Sequence, residues 1–334
     1  MIKNLLRLAV LVMLLTAGWA IYFVATPLQL PSTPYGFTLK HGSSLRSVAR
    51  QLVDANVLKE PWGFTVLVRV MGKAGELKAG NYYLESNPTP LQLFRMVTRG
   101  DVSQSEITLI EGWNFKRMRQ ALNEHPAIRH DSEHMSEQEI LEKIGARETL
   151  AEGLFFPDTY YFSSGMSDLD ILRRAYQTMQ KRLEAAWAER DPLLPYHTPY
   201  EVLIMASIVE KETGQAFERP IIAGVFVNRL RINMRLQTDP TVIYGMGDNF
   251  DGNLRRTDLL TDTPYNTYTR FGLPPAPIAM PGWGALQAAV HPATTKALYF
   301  VGKGNGTHKF SNSLEEHNLA VARYQLGRKR GAQN

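Results

Sequence analysis

The stretch Thr198-Pro-Tyr-Glu-Val-Leu-Ile-Met-Ala-Ser-Ile-Val-Glu-Lys-Glu-Thr-Gly214 governs the reading of the rest of the chain. Thr198 and Glu201 form a capping box of the S/T-x-x-E kind, Pro199 takes the first helical position, and Gly214 offers a C-terminal stop. Seven of the eight residues from Val202 to Val209 are apolar, Ser207 being the exception. A helix with no wide solvent face belongs inside a larger domain. Glu210 closes that oily run, on the same face as Leu203, Ala206 and Ser207. Apolar surroundings disfavour an ionised carboxylate, so a glutamate held there keeps its proton near neutral pH and can act as a general acid. Glu212 lies roughly 200° further round the axis and cannot form a close carboxylate pair with Glu210. A plainer reading stays open, in which Glu210 only pairs with an arginine such as Arg219 or Arg229.

A chain of 334 residues, 44% apolar and 21% charged, is long enough for two domains with real cores. Its net charge of +5, from 37 Lys and Arg against 32 Asp and Glu, is mild. It suits an anionic surface better than a nucleic-acid partner, and no nucleic acid is expected. The absence of cysteine excludes thiol nucleophiles, disulfides and cysteine-ligated zinc. His130 and His134 are four residues apart, but they lack a HExxH glutamate and a third ligand and read as solvated surface. No metal and no cofactor is expected.

Leu8 to Ala25 is an 18-residue apolar run broken only by Thr16, with Lys3 and Arg7 before it and no acid before Asp54. It spans roughly 27 Å, enough for a bilayer core, and the flanking positives place the N-terminus in the cytoplasm. Trp19, Tyr22 and Phe23 supply aromatic anchors. A cleaved signal peptide competes, since Gly18-Trp-Ala20 loosely fits a cleavage site, but the apolar run continues five residues past it. The expectation is a single uncleaved transmembrane helix with the remainder outside the cytoplasm.

The fold class expected is α+β: the anchor over residues 1–27, a proline-containing linker over 28–35, a small αβ module over 36–100, a connecting αβ region over 101–150, a mixed α+β catalytic domain over 151–326, and a basic tail over 327–334. In the module a short strand and turn at Phe37–Gly42, a helix carrying Leu45, Val48, Ala49 and Leu52, a second helix from Pro61 to Val70 and a returning strand at Leu77–Leu84 follow in order. That order, opening on Gly42-Ser-Ser-Leu-Arg-Ser-Val-Ala49, resembles LysM modules that bind cell-wall glycan. Helices follow at Pro90–Arg99, Phe115–Glu124, Asp168–Glu189 and Arg219–Leu230, the third with Leu169, Leu172, Tyr176, Met179 and Leu183 as its stripe. Aromatic and polar residues crowd the turn-rich segments near Asp158, Gln237 and Tyr265, as a carbohydrate cleft requires. Asp158 after Pro157 and Asp239 before Pro240 also fit plain turn or cap roles.

Seven ordered motifs then carry a resemblance: Glu152-Gly-Leu-Phe-Phe-Pro-Asp-Thr-Tyr160, Ala206-Ser-Ile-Val-Glu-Lys-Glu212, Asn228-Arg-Leu230, Leu236-Gln-Thr-Asp-Pro-Thr-Val-Ile-Tyr-Gly245, Tyr265-Asn-Thr-Tyr268, Gly272-Leu-Pro-Pro275 and His291-Pro292. From about Phe37 to Tyr324 the chain is similar to the YceG-like, or MltG-type, endolytic murein transglycosylases. Phe155-Phe156 stands where Leu-Phe is common in that family, and Ala276 where glycine often follows Pro-Pro.

The resemblance implies a periplasmic enzyme anchored in the cell inner membrane that cuts peptidoglycan strands internally and leaves 1,6-anhydro-N-acetylmuramic acid ends, with Glu210 as the catalytic acid and base. Gln237, Asp239, Tyr265, Asn266, Tyr268 and Asp158 are the candidates for positioning the glycan, and Glu212 for supporting the local hydrogen-bond network. The partners expected are glycan strands, the inner membrane through one helix, and glycan-polymerising synthases. Two alternatives remain at this point: a muramidase-type hydrolase with Asp239 as base or nucleophile, and a non-catalytic glycan-binding scaffold.

Overall fold

The computed structural model describes residues 2–33, 35–40, 42–84, 86–100, 104–163 and 165–326; the expected basic tail lies outside them. The architecture is α+β, with helices predominating and short strands. The chain forms two compact units, one of residues up to Glu106 with Tyr161–Met166, the other of Ile107–Tyr160 with the residues from Ser167 on.

The first unit opens with helix α1 (Ile2–Ala25), whose side chains are described at Arg7 and from Val10 onward. Among the described residues no helix is long and apolar enough to cross a membrane; the expected span starts at Leu8 and Ala9, whose side chains lie outside them. Strand β1 (Tyr35–Leu39), helices α2 (Leu45–Asp54) and α3 (Trp62–Val70) and strand β2 (Gly80–Leu84) follow in the predicted order. β1 and β2 pair antiparallel with Phe37 opposite Tyr82, their rings stacked 5.3 Å apart. β1 begins two residues earlier, and β2 three residues later, than the sequence suggests. Before β2, the Lys78 N–H donates to the Val97 carbonyl instead of to a strand. Ser44 caps α2, and helix α4 (Pro90–Arg99) has a complete Thr89/Gln92 capping box and ends at Gly100 with φ of 75°. Val48, Ala49, Leu52, Phe64, Val68, Tyr82, Leu93 and Phe94 close one core.

The short strands β3 (Gln104–Thr108), β4 (Ile128–Arg129), β5 (Thr159–Ser163) and β6 (Met166–Ser167) are interleaved with helices α5 (Phe115–Glu124) and α6 (Glu137–Ile144). The second unit then builds on helices α7 (Asp168–Glu189), α8 (Pro199–Glu212), α9 (Arg219–Arg231), α10 (Asp239–Met246), α11 (Arg256–Leu260) and α12 (Trp283–Val290). α8 packs on α7, α9, α10 and α12, so all eight residues from Val202 to Val209 are buried, Ser207 included. At about 1.5–3 kcal/mol per fully buried large aliphatic side chain, the buried run on α8 contributes substantially to the unit's core. The stripe of α7 is rotated slightly from the expected one: Ile171 and Ala175 are buried with Leu172, Met179 and Leu183, while Leu169 and Tyr176 are half-buried.

Both ends of α8 differ from the sequence reading. Thr198 accepts from the Glu201 N–H, but the Glu201 carboxylate reaches past the cap to the His197 N–H, so the box is only half formed. At the other end the helix stops at Thr213, whose extended backbone (φ −147°) breaks the helix before Gly214 is reached. Strands β7 (Tyr299–Gly302) and β8 (His308–Ser311) form an antiparallel hairpin, Phe300 meeting Phe226 of α9 edge-on at 5.7 Å. Helix α13 (Leu314–Val321) follows the hairpin.

Candidate active site

Glu210 stands in the last turn of α8 with its side chain only 5% exposed. Its Oε1 accepts from Arg219 Nη2 at 2.9 Å and its Oε2 from the Gly282 backbone N–H at 3.0 Å. Burial pushes the carboxyl above its usual range and outweighs the opposing pull of the Gly282 amide and the Arg219 charge; the nearby Glu111 charge pushes it further the same way. The plain ion-pair reading and the acid reading therefore describe one group. Arg219 is its partner. Arg229 is committed elsewhere, its Nε to the Leu298 carbonyl at 2.6 Å and Nη1 to the Leu236 carbonyl at 2.7 Å.

The segment 278–282 lies along α8 and is fastened to it twice. One turn before Glu210, Ser207 Oγ accepts from the Ile278 N–H at 3.0 Å while donating to the Ile204 carbonyl. On its other side the segment exchanges two backbone hydrogen bonds with the loop that precedes α5: the Gly112 N–H donates to the Met280 carbonyl at 2.9 Å, and the Met280 N–H to the Trp113 carbonyl at 2.8 Å. The same loop brings Glu111 Oε2 to 3.6 Å from Arg219 Nη2. A Cβ at Gly282 would overlap the Glu111 carboxyl, so a larger residue there would push that half-exposed side chain aside. Glu111, Arg219, Ser207 and Gly282 were not among the glycan-site candidates. Apart from Arg219 as an ion-pair partner, no local sequence signal joins them, because the contacts join distant stretches of the chain, as Lys211 Nζ does in donating to the Gly112 carbonyl 99 positions away at 3.2 Å.

Glu212 turns away from Glu210, as helical geometry requires, and accepts from Thr238 Oγ1. Its carboxyl is pushed up to about 7 by burial and by the neighbouring Asp239 charge. Glu212, Gln237, Asp239 and Tyr268 share one network at the start of α10. The Gln237 and Thr238 amides donate to the carbonyl and Oγ1 of Thr267, both at 3.1 Å, and the Tyr268 hydroxyl donates to Asp239. The exposed Gln237 has φ of 48°, a left-handed conformation held by this pairing.

Asn266 is fully buried, and its amide donates to the carbonyls of Asp258, Leu259 and Thr261 while its Oδ1 accepts from the Tyr268 N–H. It sits inside the loop, not on its surface. Tyr265 packs edge-on against Tyr244 at 4.8 Å. Asp158 lies apart, exposed, with Oδ1 accepting from the Thr159 N–H and its carbonyl from the Leu109 N–H, the turn geometry also open to it from sequence.

A cleft of about 1410 Å³ is lined by Trp113, Lys116, Arg117, Glu152, Tyr244 and Phe250 among others. It exceeds the roughly 300–1,000 Å³ of small-molecule pockets and suits an extended ligand. Glu210 is not in its wall; the adjoining Gly112 and Lys211 are. Glu152 is buried there, both oxygens 3.2 Å from the Phe115 N–H, and desolvation pushes its carboxyl up to about 7.

A desolvated carboxyl held between a guanidinium and a backbone amide, on a buried helix of an α+β unit, has the surroundings that acid–base chemistry uses. The family profile described as YceG-like matches residues 37–323, and the chain belongs to that family. It is 31% identical over 318 residues to the endolytic murein transglycosylase of Bacillus subtilis, covering 87% of this chain and 85% of that one. It is 25% identical over 324 residues to the endolytic murein transglycosylase of Streptococcus pneumoniae, covering 86% of this chain and 57% of that one. A YceG-like protein of Listeria monocytogenes of known crystal structure superposes with a TM-score of 0.52 at 26% identity, covering 85% of this chain and 98% of that one.

Proposed function

We propose that this chain is an endolytic peptidoglycan lytic transglycosylase with Glu210 as its catalytic acid and base. The observation that carries the reading is the Glu210 carboxyl: desolvated, raised in pKa and held by Arg219 and Gly282 in a member of this family. Protonated Glu210 gives its proton to the oxygen joining N-acetylmuramic acid to N-acetylglucosamine; the C1–O bond breaks with oxocarbenium character at C1 and frees the 4-hydroxyl of the leaving sugar. The Glu210 carboxylate, now stabilised by Arg219, takes the proton of the muramic C6 hydroxyl. O6 then bonds to C1 and closes the 1,6-anhydro ring. One carboxyl serves both steps, no water is consumed, and the enzyme returns protonated.

The finer features belong to the same reading. Residues 36–100 act as a LysM-like glycan-binding module, supported by the order β1, α2, α3, β2. The run from Leu8 to Ala25, with Lys3 and Arg7 before it, acts as a single inner-membrane anchor with the N-terminus cytoplasmic and the catalytic part periplasmic. An enzyme so tethered trims or terminates nascent strands beside the glycan-polymerising synthases. Gln237, Asp239, Tyr265 and Tyr268 border the bound strand, with Glu212 bracing α10 behind them.

Mass spectrometry of muropeptides released by wild type and Glu210→Gln tests the reading. Anhydro-muramic products from wild type and none from the variant are expected. A reducing muramic end indicates a hydrolase, and no cleavage by wild type indicates a scaffold.

A further inference from the structure

The C-terminal end of α1 and the first turn of α3 are fitted ring to ring. Trp19 stacks on Trp62 with centroids 4.7 Å apart and on Phe23 at 5.4 Å. Phe23 lies over Gly63, where a Cβ would come within 2.7 Å of two ring carbons, so a larger residue there would displace the ring. From this joint α3 carries an uncovered apolar face. Trp62 is 53% exposed, Val66 46% and Val70 79%, at successive i, i+4 spacings, and Met71 extends the face at 46%. The opposite side of the same helix, Phe64 and Val68, is sealed in the core. Lys59 and Arg69 are exposed beside the face, while the half-buried Glu60 accepts from the Trp62 N–H at 3.2 Å.

We infer that the Trp62–Val66–Val70 face of α3 lies in the headgroup–acyl boundary of the bilayer that α1 enters, seating the glycan-binding module flat on the membrane. The inference rests on the anchor proposed above and deepens it. Three features select lipid as the occupant. The face is continuous, through the Trp19–Trp62 stack, with a helix whose outward Leu11, Val12, Met13, Leu14 and Leu15 are exposed. Tryptophan at that junction is the residue that partitions to the membrane–water interface. Lys59 and Arg69, exposed beside the face, are cations, which anionic headgroups attract, and the exposed Glu76 beyond it is paired with Lys73.

The absence of cysteine makes the test direct. The full chain, carrying one cysteine at a time through Val12→Cys in α1, Val66→Cys in α3 or Arg50→Cys on the exposed side of α2, is nitroxide-labelled. It is reconstituted in phosphatidylethanolamine–phosphatidylglycerol vesicles. Collision rates are read with lipid-soluble oxygen and with a water-soluble nickel chelate. Labels at 12 and 66 are expected to favour oxygen, and the label at 50 the chelate. Position 12 in lipid with position 66 in water overturns the seating and leaves the anchor standing. Position 12 in water overturns both. A label at 66 shielded from both reagents indicates a protein partner or second copy and overturns the inference, as does oxygen preference at all three sites.

Discussion

Glu210 and Glu212 stand two residues apart at the end of α8 and carry their carboxyl groups into separate hydrogen-bond systems: Glu210 to Arg219 and the Gly282 amide, Glu212 to Thr238 at the start of α10. Burial raises the pKa of both, yet of the two only Glu210 accepts a hydrogen bond from a cation. A group that alternates between acid and base needs its charged form stabilised in mid-cycle, and Arg219 supplies this at Glu210. Glu212 instead braces the neighbouring helix.

Replacing Glu210 by glutamine removes the titrating proton and keeps the shape. The rate of anhydro-muropeptide release should fall by about 10²–10⁴-fold, the ordinary worth of a general acid–base group. Gly282 retains an acceptor only if the amide nitrogen turns toward Arg219, setting donor against donor, so a loss of about 1–3 kcal/mol in stability is also expected. Rate assays and thermal melts measure the two effects separately.

Arg219→Met removes the charge that holds the Glu210 pKa down. That pKa should rise further, and the alkaline limb of kcat/KM, where the free enzyme loses its acidic proton, should move to higher pH; Arg219→Lys should shift it less. An unmoved limb would show that Arg219 serves the fold alone.

Ser207→Ala leaves the Ile278 N–H without its acceptor in a buried place. An orphaned buried donor costs about 1–3 kcal/mol. Amide hydrogen exchange should accelerate at Ile278 and Met280 while α8 stays protected.

The buried carboxyl of Glu152 has a folded-state pKa raised to about 7 from an ordinary 4.5. Between these values the folded state binds more protons than the unfolded one, so its contribution to stability is full below about 4.5 and is lost as pH rises to 7. The loss is roughly 3 kcal/mol at 1.36 kcal/mol per unit. Glu212, raised to about 7, acts in the same direction. Melting temperatures followed across this window should flatten in Glu152→Gln.

What the sequence reveals is what local rules write. Apolar Val202 to Val209 foretells a buried helix, and the elements α4, α5 and α7 begin and end where caps and periodicity place them. Gly214 misleads because Thr213 leaves the helix first, its hydroxyl accepting from the Gln215 N–H. Asn266, polar and in a loop, reads as a surface ligand, yet three carbonyls of the 258–261 turn converge on its amide. The partners of Glu210 are still less legible. Arg219 is one of two arginines the sequence offers, and only the fold chooses between them; Gly282 lies 72 positions away and contributes a backbone group.

That last contact has an unusual genetic signature. The bond from Gly282 is made by an atom that every residue except proline possesses, so scanning side chains for the groups that hold the acid will not register it. What the side chain at position 282 decides is only where the Glu111 carboxyl can lie. A map of tolerated substitutions there would chart the space around the acid, not the bond to it.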